Sequence, residues 1–563
     1  MRGEASVVNK KVCSFPILFA LLALLIGTCA AVFPASAQAV PASTGSITVS
    51  GTVARSYDAY QIFSANVVDG DSDAKTATDL AWVSDAARDA VLPVLYSAGM
   101  PKSQTTAQEA AEWLNTDSHL ASALSAQLAR SLQSPGAVSV ALNAGTTAEL
   151  SCGYWLIVAD DAAISQNEAG TAPIMALVGG SAVTVKPKAA TPKVAKHVLE
   201  DSTAAWQKAA DATVADDLYW RLSATVPAGL AAYDTYTVRF VDTMSAGLDP
   251  SMVAASMRVY VAAGADGGFD AVSAGKDGRV GTEPTKGWTD ITAQCATKVA
   301  ADGKTFTVRT GDLIAALGGA DAFTAGARVV AVYNAPLNGA CNHGIAKGNP
   351  NEVYLRYPRS PFADQSGDAG FTHTPSDDAC AYTWDLALTK RGSDGDKPLA
   401  GAVLSIADDR GRTLAADGTW DAESKATVTT GEDGRVTVSG VDSGKLEVRE
   451  LKAPKGYTAF EGMRSVTVKA EGLDVDQVAA AKPKLTITAE SPLRADSADG
   501  STGSLEASLI NTPTGTPPSI TTGGFMPSTG DMAMYAAAAA AVAGAALIVV
   551  ALLVKRGGGS HKE

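Results

Sequence analysis

The chain has 563 residues, enough for roughly three or four domains. It carries 59 acidic against 45 basic residues, a net charge of −14, which argues against nucleic acid as a partner because phosphate binding is carried by clustered Lys and Arg. With 46% hydrophobic and 18% charged residues the chain is not broadly disordered, and 53 glycines beside only 6% aromatics suit short strands and turns.

Residues 1–37 read as a secretory signal peptide. Arg2, Lys10 and Lys11 give a positive start, an apolar run extends from Phe15 to Phe33, and Ala35-Ser36-Ala37 forms a small-residue cleavage site. The segment 38–187 opens with a strand pattern over Ser46 to Ser50. A helical stretch comes next: Thr106 and Glu109 fit a capping box, and Leu120, Leu124, Leu128 and Leu132 recur every fourth residue as one apolar stripe. Strand patterns return over Tyr154 to Val158 and Met175 to Val178. The expectation is a β-sandwich with a helical insertion.

Residues 188–376 and 380–513 are mostly short alternating runs divided by Gly, Asp and Asn turns, so two further β-domains are expected. A Pro/Thr/Gly-rich stretch begins at Thr512, and 514–525 is the linker proper. Residues 532–554 are almost uncharged. At about 1.5 Å per residue a helix there crosses a bilayer core, and Lys555 and Arg556 behind it keep that end cytoplasmic. Immediately before the span stand Met526, Pro527, Ser528, Thr529 and Gly530.

Polar residues standing in phase with apolar ones carry the most information, since residues two apart on a strand share a face. Lys390 is in phase with Leu386 and Leu388, Glu450 with Leu446 and Val448, and Asn511 with Leu505, Ala507 and Leu509. The preceding domain repeats the order: Lys196 with Val194 and Val198, Asp242 with Tyr236, Val238 and Phe240, and Asn351 with Val353, Leu355 and Tyr357. A charge buried alone is costly, so within each domain the Lys, the acid and the Asn must meet.

The C-terminal pentapeptide, apolar span and basic tail together resemble the LPxTG-type sorting signal of Gram-positive surface proteins, with Met526 in place of Leu. That resemblance implies cleavage between Thr529 and Gly530 by a sortase. The Lys, acid, Asn order resembles the isopeptide-forming domains of Gram-positive pilins and collagen adhesins. The third domain is similar to the Cna B-type module: Pro398 to Ala402 come after the lysine, and Glu450 to Tyr457 (ELKAPKGY) resembles the family's ETxAPxGY box. The second resembles the fimbrial, Cna A-like module, with Asp242-Thr243-Met244 at a DTL-like position and 348–357 (GNPNEVYLRY) resembling GNxNxxxLxY; Asn349 is the rival of Asn351 there. Val183 to Lys188 (VTVKPK) resembles the pilin motif VxVYPKN, which implies Lys188 as the acceptor of the next subunit's sortase-activated end; Lys186 and Lys193 are near alternatives.

Taken as a whole the chain resembles a backbone subunit of a sortase-assembled pilus. The resemblance implies a mainly β architecture of tandem Ig-like sandwiches, with a C-terminal transmembrane helix in the precursor. Lys196–Asn351 and Lys390–Asn511 are the expected isopeptide crosslinks, and Asp242 and Glu450 the self-crosslinking acids. The expected partners are pilus-type and housekeeping sortases, neighbouring subunits and peptidoglycan, with the cell-wall surface as location. A monomeric wall-anchored adhesin binding a host matrix protein is the alternative, and a wall-tethered secreted enzyme a further one. No cofactor or metal is expected. Asp69 to Asp73 begins like a calcium loop but has Ala74 and Leu80 where Gly and Glu are required, and Gly440 to Lys445 is one residue short of a P-loop. Beyond the signal peptide, Cys152, Cys295, Cys341 and Cys380 allow three pairings, with none singled out.

Overall fold

The computed structural model describes residues 43–515 apart from 52–54, 71–73, 118–119, 134–137, 161–166, 188–190, 228–229, 265–285, 325, 362 and 423–424. The signal peptide, Lys188, the pentapeptide Met526 to Gly530 and the apolar span 532–554 lie outside the described residues. Among the described residues no helix is long and apolar enough to cross a membrane.

In the N-terminal part, Thr44–Val49 runs between Thr147–Ser151 and Val183–Val185 in a three-stranded sheet. A second sheet has the order Lys75–Trp82, Ser56–Asp69, Gly153–Ala159, Ile174–Val178, with Ser139–Asn143 also paired to Ser56–Asp69. Gly153–Ala159 is apolar at nearly every position because both its faces are covered. Trp155, Ile157 and Ala159 pack with Ile47, Val49 and Val185, while Leu156 and Val158 pack with helices. Those helices, Asp85–Ser97, Ala107–Leu114 and Leu120–Leu132, lie between the third and fourth strands as the insertion. Both halves of the Thr106–Glu109 capping box form, and Leu124, Leu128 and Leu132 of the leucine stripe are buried.

The middle part is two sheets face to face. One has the order Ala205–Gln207, Val194–Glu200, Tyr219–Thr225, Arg328–Asn334, Arg258–Ala262, Thr289–Asp290. The other has the order Ala209–Asp211, Asp377–Tyr382, Asn349–Pro358, Arg239–Met244, Thr305–Arg309, Ala296–Val299, with Phe371–His373 beside Asn349–Pro358. Trp220, Leu222, Phe240, Phe306, Tyr333 and Leu355 fill the space between them. This second sheet runs on to Tyr382, past residue 376 where the sequence pattern breaks.

The C-terminal part is again two sheets. Trp384–Gly392 lies between Arg435–Val441 and Ser504–Pro513, its neighbour Ser504–Pro513 running parallel to it. Val403–Ala407, Gly444–Lys452, Met463–Glu471 and Lys484–Ala489 lie side by side in that order in the other, the last at its edge. Leu386, Leu388, Leu404, Ile406, Val448, Val466, Leu505 and Ala507 make the core. It joins the middle part through many polar contacts, among them Arg410 paired with both Asp201 and Asp216 at 2.8 Å and the Trp384 indole donating to Asp211 at 2.7 Å.

Candidate functional site

Each sandwich of the middle and C-terminal parts has a Lys, an acid and an Asn inside it. Lys196, Asp242 and Asn351 are 0% exposed; Lys390, Glu450 and Asn511 are 1%, 6% and 2% exposed. The strand alternation that keeps Val198, Phe240 and Val353 in the core carries these polar side chains in with them. The structure thus brings each set together.

In the middle part the acid and the amide share a sheet. Asp242 stands opposite Val353 and Met244 opposite Asn351 on neighbouring antiparallel strands, so Asp242 and Asn351 are diagonal neighbours on one inner face. Lys196 comes across from the other sheet, on Val194–Glu200. Its ammonium is paired with Asp242. Burial pushes the Lys196 pKa down to about 8 against the pull of Asp242, and burial raises that of Asp242 against the pull of Lys196. Both shifts favour the neutral forms, the expected result of removing charges from water.

Tyr333 is the residue the sequence pattern did not single out. It lies in phase with Val329 and Ala331 on Arg328–Asn334, and that phase was the available signal. Its hydroxyl accepts from Lys196 Nζ at 2.9 Å and from Asn351 Nδ2 at 2.8 Å, and donates to Asp242 Oδ2 at 3.0 Å. A second ion pair, Lys208 with Asp377, holds the Lys196 backbone on both sides of its Cα. Lys208 Nζ donates to the Lys196 carbonyl at 2.8 Å, and Asp377 Oδ2 accepts from the Lys196 N–H at 2.6 Å. Asn349, two residues before Asn351, is buried as well but engaged elsewhere. It accepts from Asn342 N at 2.8 Å and donates to the carbonyls of Asn342 and Ala381 at 2.9 and 3.2 Å.

In the C-terminal part the lysine and the amide share the sheet and the acid comes across. Lys390 Nζ lies 3.1 Å from Glu450 Oε1 and donates to Asn511 Oδ1. Asn511 Nδ2 donates to both Glu450 oxygens, at 2.9 and 3.1 Å. The amide therefore turns its NH2 to the acid, whereas a carboxyl proton polarising the amide carbonyl takes the opposite orientation. Burial pushes the Lys390 pKa down to about 8.

Other sequence features fall outside these sets. Lys186 and Lys193, on either side of 188–190, are exposed; the strand ahead of them is pinned by Ser50 N donating to the Val185 carbonyl at 2.8 Å. The four cysteines stand as free thiols. Cys341 Sγ is 3.5 Å from His343 Nε2, whose Nδ1 is 2.8 Å from Asp385 Oδ1. This chain of contacts links the middle part to the first strand of the C-terminal part, and burial raises the Cys341 pKa away from the reactive thiolate. Among the described residues no cluster of His, Cys, Asp and Glu suits a metal ion.

Over 134 residues the chain is 31% identical to the trypsin-resistant surface T6 protein of Streptococcus pyogenes serotype M6. That match covers 22% of this chain and 23% of the T6 protein, so the chain spans about a quarter of the length of the curated relative it matches. Solved structures similar to it include the T6 backbone pilin of serotype M6 Streptococcus pyogenes, at 18% identity and a TM-score of 0.45 over 84% of this chain and 98% of that one. The full-length major pilin SpaD of Corynebacterium diphtheriae is similar at 16% identity and a TM-score of 0.40, over 84% and 98%. Residues 385–482, the stretch that holds Lys390 and Glu450, match the SpaA family, described as a prealbumin-like fold domain.

Proposed function

We propose that this chain is the backbone subunit of a sortase-assembled pilus on a Gram-positive cell, stapled internally by Lys196–Asn351 and Lys390–Asn511 isopeptide bonds. The observation that carries the reading is the presence of two buried Lys–acid–Asn sets in one chain. A buried ion pair alone is weak evidence for stability, because desolvation offsets most of the attraction. An amide bond removes both charges and resolves that cost. With the amine neutral the lysine is a nucleophile; it attacks the Asn carboxamide, ammonia leaves, and the acid manages the protons. Each set acts once on its own chain, so the role is structural rather than one of turnover.

A pilin-type sortase joins Thr529 of one subunit to Lys188 of the next, and a housekeeping sortase fixes the last subunit to peptidoglycan. Joining one end to a different patch on the next copy gives an open filament. Cell-wall extracts run on a denaturing gel test this: a regular ladder of polymers is the expected result. A single wall-linked species sinks the filament and leaves the monomeric adhesin as the reading.

A further inference from the structure

Glu450 touches both nitrogens whose proton count changes in crosslinking: Lys390 Nζ at 3.1 Å, and Asn511 Nδ2 at 2.9 and 3.1 Å from its two oxygens. Among the described residues no hydroxyl is hydrogen-bonded to that set. Asp242 is one methylene shorter. It pairs with Lys196 but makes no hydrogen bond to Asn351. The space between acid and amide is bridged by the Tyr333 hydroxyl, which lies 2.9 Å from Lys196 Nζ and 2.8 Å from Asn351 Nδ2.

Resting on the isopeptide reading above, we propose that Tyr333 is a catalytic proton relay for the Lys196–Asn351 bond, and that Asp242 and Tyr333 together do what Glu450 does alone. The Nζ–Cγ bond forms and the Cγ–Nδ2 bond breaks. Nζ gives up one proton and Nδ2 gains one, leaving as ammonia. Tyr333 Oη takes the proton from Nζ while passing its own to Nδ2, and ends unchanged; Asp242 keeps its proton over the cycle. The phenol works as a neutral hydroxyl, in keeping with a pKa that burial, then Asp242, raises well above its usual value. Asp242 Oδ1 and Asn351 Oδ1 are both buried acceptors with no hydrogen-bond partner. A proton on Asp242 converts one of those two acceptors into a donor, which the starting state of this relay requires.

The experiment uses the full ectodomain, held unfolded in urea from synthesis and then diluted to fold, with each bond followed by the mass of its peptides. In Tyr333→Phe the ring packing is kept and only the hydroxyl is lost. The Lys196–Asn351 bond is expected to form at least about tenfold more slowly, while Lys390–Asn511 forms at the wild-type rate and reports that the chain folds. Adding Asp242→Glu to Tyr333→Phe lets the longer acid reach the amide and is expected to restore the rate to within a few-fold. In D2O the middle bond is expected to slow more in the wild type than in that double variant. An unchanged rate in Tyr333→Phe, equal slowing of both bonds, or no recovery with Asp242→Glu overturns the relay. A wild-type chain lacking the Lys196–Asn351 bond overturns the crosslink itself, a separate failure.

Discussion

Asn511 pairs with Gly392, not with Lys390, on the neighbouring parallel strand, and Lys390 pairs with Leu509. The two-residue offset keeps both side chains on the inner face and makes them diagonal neighbours. A bond between them ties the first strand of the C-terminal part to its last. In the middle part the equivalent bond runs from one sheet to the other, since Lys196 and Asn351 belong to different sheets. The same three residue types are therefore assembled in two geometries, with the acid facing the pair in one and sharing the amide's sheet in the other.

The first prediction concerns the acids. The intact ectodomain is expected to weigh two ammonia molecules less than its sequence mass. Asp242→Ala should restore one and Glu450→Ala the other. Each lost staple frees a long loop in the unfolded chain, worth up to about 4–5 kcal/mol by analogy with disulfides; chemical denaturation should show a drop of that order. Reductant should change nothing, because neither crosslink is a disulfide. An unshifted wild-type mass removes the proposal.

Formation of the middle bond should have a flat-topped pH profile. The reactive arrangement, neutral Lys196 beside protonated Asp242, carries the same single proton as the ion pair, so its share is constant while the pair holds one proton. Above about 8, where Lys196 loses its proton, the pair holds none, Asp242 is without the proton the reactive arrangement requires, and the rate should fall. On the acid side it should fall once Asp242, its pKa raised by burial, is protonated beside a charged lysine. Dilution from urea into buffers of graded pH, with ammonia release as the readout, checks both limbs. A rate still climbing well above pH 8 contradicts a required acid.

Asn349 and Asn351 should separate cleanly. Asn351→Ala is expected to abolish the middle crosslink. Asn349→Ala is expected to leave it intact and to cost about 1–3 kcal/mol, because Asn342 N and two carbonyls lose their partner. Peptide mapping and thermal unfolding of the two variants decide it; a crosslink that survives in Asn351→Ala moves the acceptor.

Assembly should depend on one lysine. Lys188→Ala is expected to abolish the polymer ladder while monomer stays wall-linked through Thr529. Lys186→Ala and Lys193→Ala should both leave the ladder unchanged. Immunoblots of wall extracts from the three variants give the answer, and a ladder lost only in a neighbour variant transfers the acceptor role to that lysine.

Strand phase in the sequence was enough to place Lys196, Asp242 and Asn351, and Lys390, Glu450 and Asn511, inside their domains. Inside a sandwich, alternation admits one face and excludes the other, so a polar residue in phase with the core has nowhere else to go. The Thr106–Glu109 cap and the leucine helix were legible for a similar reason, since both are set by contacts within a few residues.

The tertiary structure decided what phase leaves open. Asn349 and Asn351 share a face, and only the contacts with Asn342 and Ala381 assign the first to a structural clasp. Tyr333 looks like any core aromatic until the two sheets close and its hydroxyl meets three polar groups. Lys208 and Asp377 lie far apart in sequence, yet they clamp the backbone of one residue, Lys196. Which sheet supplies the lysine depends on strand order. Strand order is fixed by packing between distant segments, and the period of any one strand carries no record of it.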